Sequence, residues 1–199
     1  MASHRFELVG GHPVLDFLNT IHDWTARRGH DYLPAWDDVV RFGQAVGLVS
    51  PAEANRLRRQ SAGSELQGLR RQRARLERVL GAVVGKRPPA VGDLAGLAST
   101  SAEAAGHVRL VPVRRGRVRR LVDPAGAGPR LVRFRLAESA TELLTSDRMG
   151  RVSRCPACGW FFLDQSKNRS RRWCSMATCG ASAKSKRYYW RTRPRRARI

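Results

Sequence analysis

The sequence predicts a mainly α-helical protein: a multihelical N-terminal domain with one β-hairpin over residues 1–150, then a small C-terminal module over residues 151–199 organised by four cysteines. Three observations carry this prediction. Apolar residues recur at spacings of three and four through most of the first 150 positions, the period of a helix face. A single stretch, near residues 107–122, alternates instead. All four cysteines, together with an excess of 13 positive charges, fall in the last 49 residues.

Taken in order, Val14, Leu15, Phe17, Leu18 and Ile21 form the first apolar face, after Gly10, Gly11 and Pro13. Trp36, Val39, Val40, Phe42 and Val46 form the second, which ends near Gly47. Ser50-Pro51-Ala52-Glu53 is a helix start: Ser50 caps, Pro51 suits the first helical position and Glu53 completes a capping box. Helices are expected over 51–62 and 65–84, the latter carrying Arg70, Arg71, Arg73, Arg75 and Arg78 around Leu66, Leu69, Leu76, Val79 and Leu80. Lys86-Arg87-Pro88-Pro89 breaks the pattern, and a shorter helix follows over 92–105. Val108 to Val113 and Val118 to Val122 alternate around Arg114-Arg115-Gly116-Arg117, which reads as a hairpin. Leu131 to Thr145 returns to helix.

The 199 residues carry 38 Lys+Arg against 16 Asp+Glu, a net +22, with 42% hydrophobic content. That content supports a core and excludes wholesale disorder. No apolar run approaches the ~18–20 residues of a membrane span. Residues 1–10 include Arg5 and Glu7 and have no apolar h-region, so a secretory signal is not expected. The expectation is therefore a cytoplasmic protein whose cysteines are metal ligands or free thiols rather than disulfides. Residues 1–150 have a net +9 and residues 151–199 a net +13, where Asp164 is the sole acidic residue. Such a concentration repels itself unless an anionic partner meets it.

In the first 150 residues chemistry has little support. His12 and Asp16 are four apart and His22-Asp23 follow, but no third ligand stands at motif spacing, which favours capping over metal binding. No phosphate loop, nucleophile elbow or H-E-x-x-H occurs, so an enzyme is not expected. Phe17, Trp24, Tyr32 and Trp36 are aromatic enough to line an effector pocket, and core packing is the competing reading.

The last 49 residues are more informative. Cys155-Pro156-Ala157-Cys158-Gly159 is a knuckle: two thiols two residues apart can hold one metal, and the glycine lets the backbone turn toward sulfur. Cys174 and Cys179 complete C-x2-C-x15-C-x4-C. Four soft ligands favour tetrahedral zinc with no open position; an iron–sulfur cluster and a redox dithiol are the alternatives. Trp160, Phe161, Phe162 and Leu163 are expected to pack against the metal centre. Asp164, Ser166 and Asn168 read either as a self-bonded polar turn or as groups that orient arginines. Arg171-Arg172-Trp173 runs directly into Cys174. Residues 181–193 read as a helix with Lys184, Arg187 and Arg191 on one face and Tyr188 adjacent, followed by a basic tail from Arg193 to Arg198.

Residues 153–191 resemble the CGNR zinc finger, whose pattern runs C-x2-C, F-x-D-x-S-x-N, then R-R-W-C-S-M-x-x-C-G-N-R. Here it stands as Cys155 to Cys158, Phe162 to Asn168, and Arg171-Arg172-Trp173-Cys174-Ser175-Met176-Ala177-Thr178-Cys179-Gly180. Val14 to Thr20 resembles the start of the ABATE domain that precedes this finger, and Leu143-Leu144-Thr145-Ser146 resembles its end. The resemblance implies a bacterial, stress-induced transcription regulator that binds DNA through its finger. One departure stands out: Ala181-Ser182 occupies the place of the family's Asn-Arg.

The leading expectation is a zinc-dependent DNA-binding regulator, with ligands Cys155, Cys158, Cys174 and Cys179. Its nucleic-acid contacts would come from Arg169, Arg171, Arg172, Lys184, Lys186, Arg187, Arg191 and Arg193. The helical domain would sense an effector or form a homodimer. RNA binding, by stacking on Tyr188, Tyr189 and Trp190, is an alternative. Docking of an acidic partner in the transcription machinery is another.

Overall fold

The computed structural model describes residues 6–22, 30–114 and 116–192. Asp23, Trp24, Arg115, Arg193 and the basic tail of the sequence reading lie outside the described residues. The first helix, α1 (Pro13–Leu18), has Pro13 at its first position, and His12 caps it with Nδ1 accepting from Val14 N–H at 3.3 Å. Every residue from Val14 to Leu18 is buried. The apolar spacing extends this helix to Ile21, but it stops at Leu18, where the Thr20 hydroxyl donates to Phe17 O at 2.6 Å and competes with the backbone ladder. β-Branched Ile21 instead opens β1 (Ile21–His22), which pairs antiparallel with β2 (His30–Asp31).

Next come α2 (Trp36–Ala45), α3 (Pro51–Arg58), α4 (Gly63–Val84) and α5 (Val91–Ala105). The capping box forms as read: Ser50 Oγ accepts from Glu53 N–H, and Glu53 Oε2 accepts from Ser50 N–H at 2.7 Å. α3 ends at Arg58, short of the expected Ala62. The alternating stretch is a hairpin of β3 (Val108–Val113) and β4 (Arg117–Val122), in register from Val108↔Val122 to Val113↔Arg117. After the short α6 (Pro124–Ala127) comes α7 (Leu131–Thr145).

α7 organises the core. Leu131, Val132, Phe134, Leu136, Ala137, Ala140 and Leu143 are all buried, more than one face of a helix, because α1, α4 and α5 surround it. Its polar positions join the elements by ion pairs: Arg133 meets Glu65 and Glu103, and Arg135 holds Glu53 through both guanidinium NH2 groups. On α4, Arg73 is only 2% exposed and binds Asp31 in a fork at 2.9 and 2.6 Å. Arg73, Arg133 and Arg135 therefore serve as interior struts.

The chain then forms a second antiparallel hairpin, β5 (Val152–Arg154) and β6 (Phe161–Leu163), and ends in α8 (Ala181–Thr192). The Trp160–Leu163 run is expected to pack as a whole against the metal centre. As a strand it alternates instead. Phe161 and Leu163, with Val152, join the helical core, while Trp160 and Phe162 pack with the cysteines. The composition break near residue 150 is thus bridged by continuous packing.

Candidate metal centre and basic surface

The metal centre is built on the β5–β6 hairpin. Cys155 closes the knuckle: its N–H donates to Trp160 O and its carbonyl accepts from Gly159 N–H, both at 2.8 Å. Gly159 turns the chain at φ +76°, a conformation costly for other residues. The second pair comes from the segment before α8, where Ser175 Oγ caps a single wide helical turn at Met176–Gly180. All four sulfurs, of Cys155, Cys158, Cys174 and Cys179, lie within 4.8 Å of one another. Cys158 and Cys174 are 3.5 Å apart, and Cys174 and Cys179 3.6 Å. A tetrahedral zinc with Zn–S bonds of ~2.3 Å sets sulfurs about 3.8 Å apart. The donor set and its spacing therefore fit zinc.

In the protonated cluster the thiols compete. Donation from Cys174 holds Cys158 down to about 5, whereas burial and then the Cys158 sulfur push Cys179 up to about 11. Cys174 is driven upward by its bond to Cys158 and by burial. Four thiolates this close need a cation to coexist, which is the role zinc fills.

Backbone contacts fasten the centre to the helical layer. Asn19, at the C-cap of α1, makes a two-way clasp on Phe161: Nδ2 donates to Phe161 O and Phe161 N–H donates to Oδ1, both at 2.9 Å and fully buried. Trp160 Nε1 donates to Ile21 O at 3.0 Å, and Leu163 N–H to Gly10 O at 2.8 Å. Arg154 lies over the Phe161 ring, donates to Gly159 O and pairs with Glu77 of α4 at 3.0 Å. The sequence reading missed these partners, since the polar residues involved are ordinary ones whose contacts are 77–142 positions away.

Of the residues expected at a nucleic-acid surface, Arg171 stands apart. Its guanidinium stacks on Phe162 and donates to the carbonyls of Trp173, Leu163, Val9 and Cys174. Four of five N–H donors are engaged inside the protein, so the structure places Arg171 as a clip of the zinc loop. Asp164 holds the same loop: Oδ1 accepts from Ser166 N–H and Oδ2 from Arg171 N–H. Ser166, with Arg171, keeps this carboxyl below the usual range. The Asp164–Ser166 stretch is therefore a self-bonded turn that positions the Arg171 backbone.

Arg169, Arg172, Lys184, Lys186, Arg187 and Arg191 are all exposed. Among the described residues none of the six has an ion-pair partner, unlike most arginines of the helical layer. α8 has no buried residue, and it exposes Tyr188, Tyr189 and Trp190 at 63%, 55% and 67%. Ala181-Ser182 begins α8, so the family's Asn-Arg pair would sit at its first turn.

A helical layer that shares its core with a four-cysteine zinc hairpin defines a zinc-stapled, α-helical protein with an exposed basic helix. The family model described as putative stress-induced transcription regulator, ABATE, matches residues 11–147, and the CGNR zinc finger model matches residues 151–192. The chain belongs to the ABATE family, with a CGNR zinc finger at its C-terminal side. No curated protein matches the chain. No helix among the described residues is long and apolar enough to cross a membrane.

Proposed function

We propose that this protein is a zinc-dependent regulator that binds duplex DNA through α8 and the loop that carries Arg169 and Arg172. One observation supports this reading above others: six exposed cations, none with a carboxylate partner among the described residues, are gathered in one short segment on a zinc-fixed scaffold. Lys184, Arg187, Tyr188 and Arg191 share one stripe of α8, with the Arg191 guanidinium over the Tyr188 ring. A helix of this charge without a buried face suits a groove lined by phosphates. The cysteine set is read as structural, because four thiolates leave a tetrahedral ion no open position.

The exposed aromatic residues on α8 favour a second reading, stacking on unpaired bases of RNA or single strands. Competition among duplex DNA, single strands and structured RNA at equal salt separates the two. The duplex reading predicts that duplex competes best and that Lys184→Ala/Arg187→Ala/Arg191→Ala weakens binding at least about tenfold with unchanged melting temperature. A stronger competition by single strands or RNA rejects it in favour of the second reading.

A further inference from the structure

A cavity of about 280 Å³ lies between the N-terminal segment of residues 6–8, α1, the β1–β2 ribbon and the zinc loop. Cys158, Cys174 and Cys179 form part of its wall, but the space extends to Phe6, Tyr32 and Trp160 and is far larger than one ion or water fills. We propose that this cavity binds a small organic cation with an apolar body, such as an aromatic or quaternary amine.

Three features of the wall point to that chemistry. Among the described residues no lysine or arginine lines the cavity, whereas two carboxylates, Glu7 and Asp16, do. Asp16 is 7% exposed; Oδ1 accepts from Gly10 N–H at 2.8 Å, and Oδ2 has no hydrogen-bond partner among the described residues. That oxygen belongs to a largely buried carboxylate on the cavity wall and is available to a donor from the ligand. Nearby guanidinium groups are engaged elsewhere, Arg73 on Asp31 and Arg171 on carbonyls. The second feature is aromatic: Phe6, Tyr32 and Trp160 line the space, with the His22 ring at right angles to Trp160, a composition that suits a cation. Third, four thiolates outnumber the charge of a divalent ion, so the cysteine wall stays anionic with zinc bound.

The site is independent of the nucleic-acid reading, and so is its test. Zinc-loaded full-length protein is titrated calorimetrically with benzyltrimethylammonium, benzyl alcohol and benzoate, at about pH 8 where the ordinary histidine is neutral. The cation should bind saturably and at least about tenfold more tightly than the neutral and anionic probes. Asp16→Asn should remove that preference while zinc content stays near wild type and the melting temperature does not fall. Leu8→Trp, at the partly exposed rim, should block all probes, which gives a second test if the Asp16 variant folds poorly. Equal binding of the three probes, no saturable binding of the cation, or undiminished cation binding in both variants overturns the proposal.

Discussion

Asn19 shows how much a single polar side chain contributes here: its carboxamide satisfies both backbone groups of Phe161 in a buried setting. Asn19→Ala leaves that N–H and carbonyl without partners, at a cost of about 2–4 kcal/mol, measurable by denaturant unfolding of the zinc-loaded protein. Asp16 makes an opposite contribution. Burial raises its carboxyl from 3.8 to about 6, against the Gly10 N–H bond and the Arg171 charge. Its folded pKa exceeds the unfolded one, so its stabilising contribution is complete below about 4 and is lost as pH rises through about 6. Asp16→Asn should therefore lessen the fall in stability over that window relative to wild type at each pH. An identical pH profile for the two proteins contradicts the raised value. At this scale the sequence was legible for the four cysteines, whose spacing is local, and for His12 as a cap. Arg171 was not legible: its four carbonyl acceptors include Val9, 162 positions away, and nothing in Arg171-Arg172 distinguishes the buried clip from its exposed neighbour.

Local signals fixed the helices and the β3–β4 hairpin well, because alternation and capping act over a few residues. The Ser50–Glu53 box is the clearest case, and Arg135 from α7 adds to it from outside the helix. Arg135 and the Ser50 N–H, working against burial, hold Glu53 down to about 2. Its folded pKa lies below the unfolded one, so its contribution is present above about 4.5 and lost as pH falls toward 2. Glu53→Ala should cost about 2–4 kcal/mol at neutral pH, since it removes a cap and leaves Arg135 half-buried without its carboxylate. Thermal melting of Glu53→Ala beside Glu53→Gln checks this, and a loss under about 0.5 kcal/mol in both contradicts it. Of the Trp160–Leu163 run, Trp160 and Phe162 pack at the metal centre as expected and Phe161 and Leu163 do not, for a definite reason. Four consecutive apolar residues carry no period, so they do not tell a single packed face from a strand buried on both sides. Pairing with Val152–Arg154 decides the matter and sends alternate side chains to two cores.

Across the whole molecule, the uneven charge of the sequence becomes a division of labour among arginines rather than a division of the fold. Many of those in the helical layer pair with carboxylates, Arg133 and Arg135 across elements, whereas among the described residues the exposed cations of the zinc loop and α8 have no carboxylate partner. The zinc hairpin inserts Phe161 and Leu163 into the helical core, so metal and helices should unfold together. Removal of zinc by a chelator should lower the far-UV melting temperature of the helical layer itself. An unchanged helical transition after complete zinc loss contradicts the shared core.

The central functional claim concerns those exposed cations, and the salt dependence of duplex DNA binding by the zinc-loaded protein tests it most directly. Six phosphate contacts predict a log–log slope of about −5, decreasing in magnitude by about one for each contact removed by alanine. A slope near zero, or one unchanged by the α8 substitutions, contradicts it.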